Sequence, residues 1–255
     1  MSRRLHHRKP GPVERTHAQG ALLTATTDGT TERTPMPHLT QDGPVWTLDL
    51  GDDENRFSPD WIDRTEEILA EVAASTEPAA LVTTGSGKFF SNGLDLDWLG
   101  AHPTEMGSYV QKVHGLFATV LSLPVPTVAA VNGHAFGAGA MLAMAHDWRV
   151  MRDDRGFLCF PEVDILIPFT PGMAALIQAK VTPRTAVDAM TTGRRYGGPD
   201  ALAAGLVDAT ASLDDLPGAA ADLVRDLAGK DRPTLKAIKD EMFAGPLAAL
   251  RQPQA

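Results

Sequence analysis

Short apolar runs alternate with helical patterns through much of this 255-residue chain, and this alternation limits its fold more than any other feature. Residues 79–84 and 127–131 are apolar runs of strand length, whereas the apolar residues between Trp61 and Val72 recur at helical spacing. Strands that are apolar on both faces are typical of parallel sheets covered by helices. The pattern therefore predicts an α/β fold with a largely parallel sheet.

Cap signals and periodicity set the expected bounds of the elements. Ser58 and Pro59 are typical of a helix N-terminus, and Thr182, Pro183 and Gly193 frame a second helix. Strands are predicted at 44–50, 79–84, 127–131, 148–151 and 157–160, and helices from 58 onward and at 105–123, 138–146, 172–180, 182–192, 199–204, 216–228 and 233–243. We expect a core at 41–195 and a helical C-terminal region at 196–255 that serves oligomerisation or covers the ligand site.

The N-terminal segment differs in charge from the rest of the chain. Residues 1–38 carry six Lys and Arg against three acids, while the whole chain has a net charge of −9. The segment is dense in Thr, His, Pro and Gly and lacks aliphatic periodicity, so we predict a disordered tail at 1–40. Its arginines leave a transit peptide open as an alternative.

The composition of the chain argues against some classes of binding partner. The overall negative charge argues against nucleic acid, and no stretch approaches the ~20 apolar residues that span a bilayer. The single cysteine, Cys159, excludes an internal disulfide and lies in an apolar run, so we interpret it as a buried, inert thiol. We expect a soluble, cytoplasmic protein with neither a membrane nor a nucleic-acid partner.

Two glycine-bearing turns follow predicted strands, at residues 85–96 and 132–139. Gly137, Ala138 and Gly139 directly precede an apolar helix, so the free N–H groups of this turn lie at a helix N-terminus, where negative charge is stabilised. Such a turn could hold an oxyanion. The alternative is that both turns only serve tight folding of the backbone.

These turns carry a resemblance to a known family. Residues 90–96 (FSNGLDL) and 132–139 (NGHAFGAG), followed by Phe160-Pro161-Glu162, resemble the enoyl-CoA hydratase/isomerase (crotonase) superfamily over about residues 44–245. The resemblance implies a crotonase-like spiral core of ββα units. It also implies that the backbone N–H groups of Leu94 and Ala138 form an oxyanion hole for a thioester oxygen, although Ala138 replaces the usual middle glycine.

The acid–base residues point to one reaction within this superfamily. Hydratases have two glutamates, and here Met141 occupies the position of the first while Glu162 occupies that of the second. Adding water needs a base and an acid, and methionine can be neither. Moving a double bond needs one carboxylate, which removes a proton and returns it elsewhere, so Glu162 is the expected catalytic residue.

The surroundings of Glu162 refine this expectation. Ile165 and Ile167 follow it closely, so burial in an apolar pocket should raise its pKa toward neutrality. We interpret Asp164 as structural. Thr170 stands where dienoyl-CoA isomerases of the superfamily have an aspartate, and the run from Met151 to Ile165 resembles plant-type and peroxisomal Δ3,Δ2-enoyl-CoA isomerases.

The expected function is isomerisation of 3-enoyl-CoA to trans-2-enoyl-CoA in fatty-acid β-oxidation. No metal or separate cofactor is expected, since coenzyme A belongs to the substrate, and the resemblance implies a homotrimer or a dimer of trimers. Hydration, thioester hydrolysis, decarboxylation and acyl-CoA binding without catalysis stay open. The expected acyl-CoA contacts are Lys88, Ser91, Asn92, Gly93, Gly137 and Met141, with Arg56, Lys236 and Lys239 as further candidates for the CoA phosphates.

Overall fold

The computed structural model describes residues 37–253, so most of the predicted tail lies outside the described residues. Its first strand, β1 (His38–Asp42), pairs antiparallel with β2 (Val45–Asp49). The turn between them contains Gly43 at a φ of 56°, which favours glycine. Residues 38–40, which the sequence assigned to the tail, therefore belong to the sheet.

Within residues 37–253, the strands form one large sheet and two small ones. The remaining strands are β3 (Arg56–Phe57), β4 (Ala80–Thr84), β5 (Phe89–Ser91), β6 (Gly93–Leu94), β7 (Thr127–Val131), β8 (His134–Phe136), β9 (Trp148–Arg152), β10 (Leu158–Cys159) and β11 (Ala209–Ala211). The large sheet has the order β1-β2-β4-β7-β9-β11 and is parallel except for β1 against β2. The small sheets, β10-β8-β5 and β3-β6, are parallel as well.

Two of the helices have the predicted caps. The helices are α1 (Pro59–Ala74), α2 (Leu96–Ala101), α3 (Met106–Leu121), α4 (Ala138–Ala145), α5 (Glu162–Ile165), α6 (Pro171–Lys180), α7 (Pro183–Thr192), α8 (Gly198–Ala203), α9 (Leu216–Arg225), α10 (Arg232–Met242) and α11 (Ala244–Leu250), with a 3₁₀ turn at Pro103–Glu105. Of these, α2, α5 and α11 have no counterpart among the helices predicted from the sequence. The hydroxyls of Ser58 and Thr182 cap α1 and α7, and Gly193 ends α7 in the left-handed conformation. Within residues 37–253, no helix is long and apolar enough to cross a membrane.

Helices cover both faces of the large sheet, as the fully apolar strands predict. On β7, Val128 and Ala130 belong to a cluster with Ala220 and Val224 of α9. The alternate residues Ala129 and Val131 belong to the main core, which also contains buried residues of α1, α3 and α4. The predicted α/β class with a parallel sheet is confirmed, and the boundary predicted at residue 195 stays a prediction.

The sheet brings the two glycine-bearing turns together because β4 and β7 are parallel neighbours and end at the same edge. Asn132, immediately after β7, joins them. Its side-chain oxygen accepts from the N–H of Gly85 at 2.9 Å, and its amide nitrogen donates to the carbonyl of Gly87 at 2.9 Å. One buried amide thus fixes the first turn relative to the second.

We predict that Asn132→Ala lowers the free energy of unfolding by about 1–3 kcal/mol, because the buried N–H of Gly85 loses its acceptor. Urea unfolding checks this. Gln41→Ala is the control, since Gln41 is an exposed amide that donates to the carbonyl of Gly43, and this variant should change the free energy of unfolding by less than about 0.5 kcal/mol. Equal effects of the two variants would contradict the linking role of Asn132.

Candidate active site

The two turns make direct contact at Gly93. A Cβ at this position would lie 2.8 Å from the carbonyl oxygen of Phe136 and 2.9 Å from the backbone nitrogen of Ala138, and the φ of Gly93 is 81°. Ser91 holds this glycine in place, because its buried hydroxyl donates to the carbonyl of Asn55 at 2.7 Å and accepts from the N–H of Gly93 at 3.0 Å. Only glycine fits at position 93 without moving the second turn.

The second turn opens into α4, and all eight residues of this helix are buried. Gly137 precedes it with a φ of 51° and offers no capping side chain. Ala138 is the first residue of the helix, so its N–H has no acceptor within α4. Gly139 packs so closely on the carbonyl of Ser91 that a Cβ would lie 2.3 Å from the oxygen. The positive end of α4 is therefore pressed against the first turn.

A cavity of about 360 Å³ opens beside these turns. Its volume lies at the lower end of the range for small-molecule sites. Its wall is mostly apolar and contains Leu94, Leu96, Phe136, Gly137, Ala138, Met141, Cys159, Pro161, Ile165, Ile167, Pro168 and Met173. The polar and charged residues of the wall are Arg56, Asn92, Asp97, Glu162 and Arg195.

Glu162 is the buried carboxyl of this wall. It is the first residue of α5, only 8% of it is exposed, and its Oε1 would lie 3.4 Å from a Cβ on Gly137. Its Oε2 is buried and has no hydrogen-bond partner among the described residues. Burial raises the pKa of this carboxyl to about 7. Near neutral pH the group can therefore both accept and release a proton.

Met141 faces the same cavity from α4, one turn after Gly137, to which its N–H is hydrogen-bonded. The other carboxyl of the wall belongs to Asp97, whose side chain is 89% exposed and paired with Arg56. Of the described wall residues, Glu162 alone presents a buried carboxyl.

Three residues expected to contact the acyl-CoA lie outside this wall. Ser91 and Gly93 hold the two turns together, through the hydrogen bond from the Gly93 N–H to the Ser91 hydroxyl and the contact of Gly93 with the second turn. Lys88 is exposed, and its ammonium lies 5.2 Å from the centre of the Phe89 ring. The other expected contacts, Asn92, Gly137 and Met141, line the cavity together with Leu94, Ala138 and Glu162.

Of the further candidates for phosphate contacts, Arg56 lies in the cavity wall and Lys236 and Lys239 do not. Arg56 lines the cavity, although Glu54 and Asp97 pair with its guanidinium. Lys236 pairs with Asp240 on α10. Lys239 is not a surface charge but is 3% exposed. Lys239 can be buried because it pairs with Asp147, and the sequence alone does not reveal this ion pair.

Arg195 is a wall residue that the sequence did not single out. Its guanidinium lies 5.6 Å from the ring centre of Phe136. It follows the end of α7 at Gly193 and belongs to no periodic pattern or turn motif, so only the folded chain brings it to the cavity.

His146, Thr170 and Asp164 make structural contacts. His146 is fully buried, bonded to the carbonyl of Leu142 and the hydroxyl of Thr83, and burial lowers its pKa to about 4. Thr170 caps α6. The carboxyl of Asp164 packs against Gly193. Within residues 37–253, no group of three or more His, Cys, Asp and Glu could hold a metal ion.

Comparisons with known proteins identify the family and the fold. Residues 45–253 match the family model described as enoyl-CoA hydratase/isomerase. Enoyl-CoA delta isomerase 3 of Arabidopsis thaliana is 40% identical over 76% of this chain and 86% of its own length, and peroxisomal enoyl-CoA delta isomerase 2 of the same plant is 38% identical over 69% and 77%. A probable enoyl-CoA hydratase of Mycobacterium tuberculosis has a solved structure with a TM-score of 0.79 and 25% identity, covering 85% of this chain and 92% of that one.

The raised pKa of Glu162 predicts how stability depends on pH. Between about 4.5 and about 7 the folded state binds a proton that the unfolded state has lost, so stability falls as the pH rises through this window and is level above it. The full difference corresponds to on the order of 3 kcal/mol. We expect Glu162→Gln to gain stability relative to wild type over this window, measured by urea unfolding from pH 4 to 8. A difference that is independent of pH would contradict the raised pKa.

Proposed function

The chain belongs to the enoyl-CoA hydratase/isomerase family, and from this premise we propose that it is an isomerase converting 3-enoyl-CoA into trans-2-enoyl-CoA. The observation that carries the proposal is the buried carboxyl of Glu162, whose Oε2 has no hydrogen-bond partner among the described residues, in a mostly apolar cavity wall that also contains Met141. The names of three Arabidopsis relatives, each an enoyl-CoA delta isomerase, support it.

In the proposed reaction Glu162 does all the proton transfer. Its carboxylate removes a proton from C2 of the 3-enoyl thioester, and the electron pair spreads over a dienolate. The neutral carboxyl then returns the proton to C4, so that the double bond moves from C3–C4 to C2–C3. A pKa of about 7 suits both halves, because neither protonation state is strongly favoured near neutral pH.

The dienolate places negative charge on the thioester oxygen, and we propose that the N–H groups of Leu94 and Ala138 stabilise it. Both residues line the cavity, and Ala138 stands at the positive end of α4. The contact of Gly93 with the Ala138 nitrogen keeps the two turns in register. In enzymes, removing one such donor typically costs ~10²–10³ in rate.

The wall of the cavity suits an acyl-CoA. Ile165, Ile167 and Met173 offer apolar surface to the acyl chain, and Arg195 brings positive charge toward CoA phosphates. The reaction needs no separate cofactor, because CoA arrives with the substrate. We place it in fatty-acid β-oxidation. The homotrimer or dimer of trimers and the cytoplasmic location stay predictions.

Hydration by the two-carboxylate route is disfavoured in this proposal because Met141 cannot activate water. Thioester hydrolysis, decarboxylation and binding without catalysis are separated from isomerisation by the assay below.

We predict that Glu162→Gln abolishes isomerisation of 3-hexenoyl-CoA, followed by the absorbance of the conjugated product, while the ester still binds with nearly unchanged affinity. The amide keeps the size of the side chain but cannot take the proton. Glu66→Gln is the matched control, because burial also raises the pKa of Glu66 but that residue is not in the cavity wall, so the variant should keep wild-type activity.

Activity of Glu162→Gln within tenfold of wild type would rule out the proposed shuttle. Release of free thiol, measured in parallel, would show hydrolysis instead, and tight ester binding with no turnover by wild type would show a binder.

The same group predicts the pH profile. Because the proton is removed by the ionised carboxylate, kcat/KM should rise with pH up to about 7 and then level off. Initial rates on 3-hexenoyl-CoA between pH 5 and 8 test this. A flat profile across that range would assign proton abstraction to another group.

A further inference from the structure

Tyr109 is a buried tyrosine of α3 that is bonded to the first turn but does not line the cavity. Only 2% of it is exposed, and its ring centre lies 5.3 Å from that of Trp98 in α2. Its hydroxyl donates to the carbonyl of Phe57 at 2.8 Å and accepts from the N–H of Asp95 at 2.9 Å. One side-chain group thus joins α3 to the end of β3 and to the start of α2.

The two partners of this hydroxyl lie on either side of Leu94, whose N–H belongs to the proposed oxyanion hole. Phe57 is the register partner of Leu94 in the pairing of β3 with β6, and Asp95 is the next residue along the chain. The N–H of Gly93, which precedes Leu94, donates to the hydroxyl of Ser91 at 3.0 Å. Both N–H groups next to that of Leu94 in the sequence are therefore held by side-chain hydroxyls.

The strand pairing around Leu94 is too short to fix this position by itself. The strands β3 and β6 have two residues each and form a small sheet of their own, whereas strands in globular proteins are usually about 3–10 residues long. Gly93 weakens the pairing further, because glycine loses more conformational freedom on folding than any other residue. The hydrogen bonds of Ser91 and Tyr109 supply the order that so short a ladder lacks.

Beyond Asp95 the chain becomes exposed. The Asp95 carboxylate caps α2 by accepting from the N–H of Trp98 at 3.0 Å, and Leu96 of this helix is 48% exposed. A helix of six residues is not stable by itself, so its start has to be fixed by other contacts. The bond from the Asp95 N–H to Tyr109 fixes that start, one residue after Leu94.

The Tyr109 hydroxyl is suited to holding the backbone and not to proton transfer. Burial raises its pKa to about 12, so it keeps its proton at every pH near neutrality. Its two hydrogen bonds go to the backbone, and Tyr109 is not among the wall residues of the cavity. Any effect of Tyr109 on catalysis therefore acts through the position of the backbone.

We propose that Tyr109 is a positioning residue that orients the N–H of Leu94 toward the thioester oxygen. This inference rests on the oxyanion hole of the proposed function, but not on the choice of isomerisation among thioester reactions. The thioester oxygen carries more negative charge in the dienolate than in the bound ester. A misdirected N–H therefore weakens the transition state more than it weakens substrate binding.

Tyr109→Phe keeps the ring and removes only the hydroxyl. We expect kcat for 3-hexenoyl-CoA to fall about tenfold, a part of the ~10²–10³ that complete loss of such a donor costs. KM should stay within about twofold of wild type, because the contact strengthens mainly in the transition state. The pH profile of kcat/KM should keep its rise up to about pH 7, since Glu162 is unchanged, and only its plateau should be lower.

Two variants serve as matched controls. Tyr196→Phe makes the same substitution at the other tyrosine, which is 1% exposed and whose hydroxyl has no hydrogen-bond partner among the described residues. Thr127→Val removes a buried hydroxyl that also donates and accepts, to the carboxylate and from the N–H of Asp147, at the end of β7 away from the second turn. Thr127→Val should lower the midpoint of urea unfolding about as much as Tyr109→Phe does, and both controls should keep the kcat of wild type.

A spectroscopic measurement reports on the oxyanion hole without turnover. Hexanoyl-CoA labelled with ¹³C at the thioester carbonyl has no double bond to move, and hydrogen bonds to its oxygen lower the stretching frequency of the carbonyl in infrared difference spectra. We expect binding to wild type and to both controls to lower this frequency by the same amount. Binding to Tyr109→Phe should lower it by less.

The outcomes separate this inference from the proposed function. Equal frequency shifts in Tyr109→Phe and wild type, or equal losses of kcat in Tyr109→Phe and Thr127→Val, would overturn the positioning role. The absence of any shift in wild type would overturn it as well, because no oxyanion hole would then act on the ester. A shift that depends on Tyr109 in a wild type that does not isomerise 3-hexenoyl-CoA would support the positioning role and refute the isomerase.

Discussion

The contact between Gly93 and the backbone nitrogen of Ala138 is the constraint on which the candidate active site depends. Gly93 begins β6 in one small sheet and touches the turn that follows β8 in the other, and a Cβ at position 93 would lie within 3 Å of this turn. This contact fixes the relative positions of the backbone groups around the proposed reaction site. Leu94 follows the glycine, Ala138 opens α4, and Gly137 lies beside the carboxyl of Glu162.

Helix α4 extends the influence of this contact through the molecule. It is buried along its whole length, so its ends cannot be solvated freely and must meet groups of the protein or a ligand. Its N-terminal N–H groups open toward the cavity of the candidate active site. The carbonyl of His146 at its other end accepts from both Lys180 and Arg149, and cations at a helix C-terminus are stabilised by the helix dipole. One short helix thereby presents a site for negative charge at one end and a cluster of cations at the other.

Local sequence signals predicted the elements that have strong periodicity or caps, and long-range pairing decided the rest. The fully apolar run of β7 and the caps of α1 and α7 are visible because each depends on neighbouring residues alone. Strands of two or three residues, such as β6 and β8, carry no periodic signal and exist through their partners. The same holds for Arg195 in the cavity wall and for Lys239, whose partner Asp147 is far away in the sequence. A lysine on an amphipathic helix is ordinarily interpreted as a surface charge. Only the folded structure shows that Lys239 is paired with Asp147.

The nature of residue 141 and the protonation of Glu162 are physically connected. Methionine adds no charge to the cavity wall that it shares with Glu162, and the raised pKa of that carboxyl comes from burial and not from a neighbouring carboxylate. A second carboxylate at position 141 would raise the pKa of one member of the pair further by like-charge repulsion, and the two groups would titrate as a coupled unit. One of them would then stay protonated while the other stayed ionised, which suits separate acid and base roles in hydration. A lone carboxyl near neutrality instead alternates between the two states, as the transfer of one proton between two carbons requires.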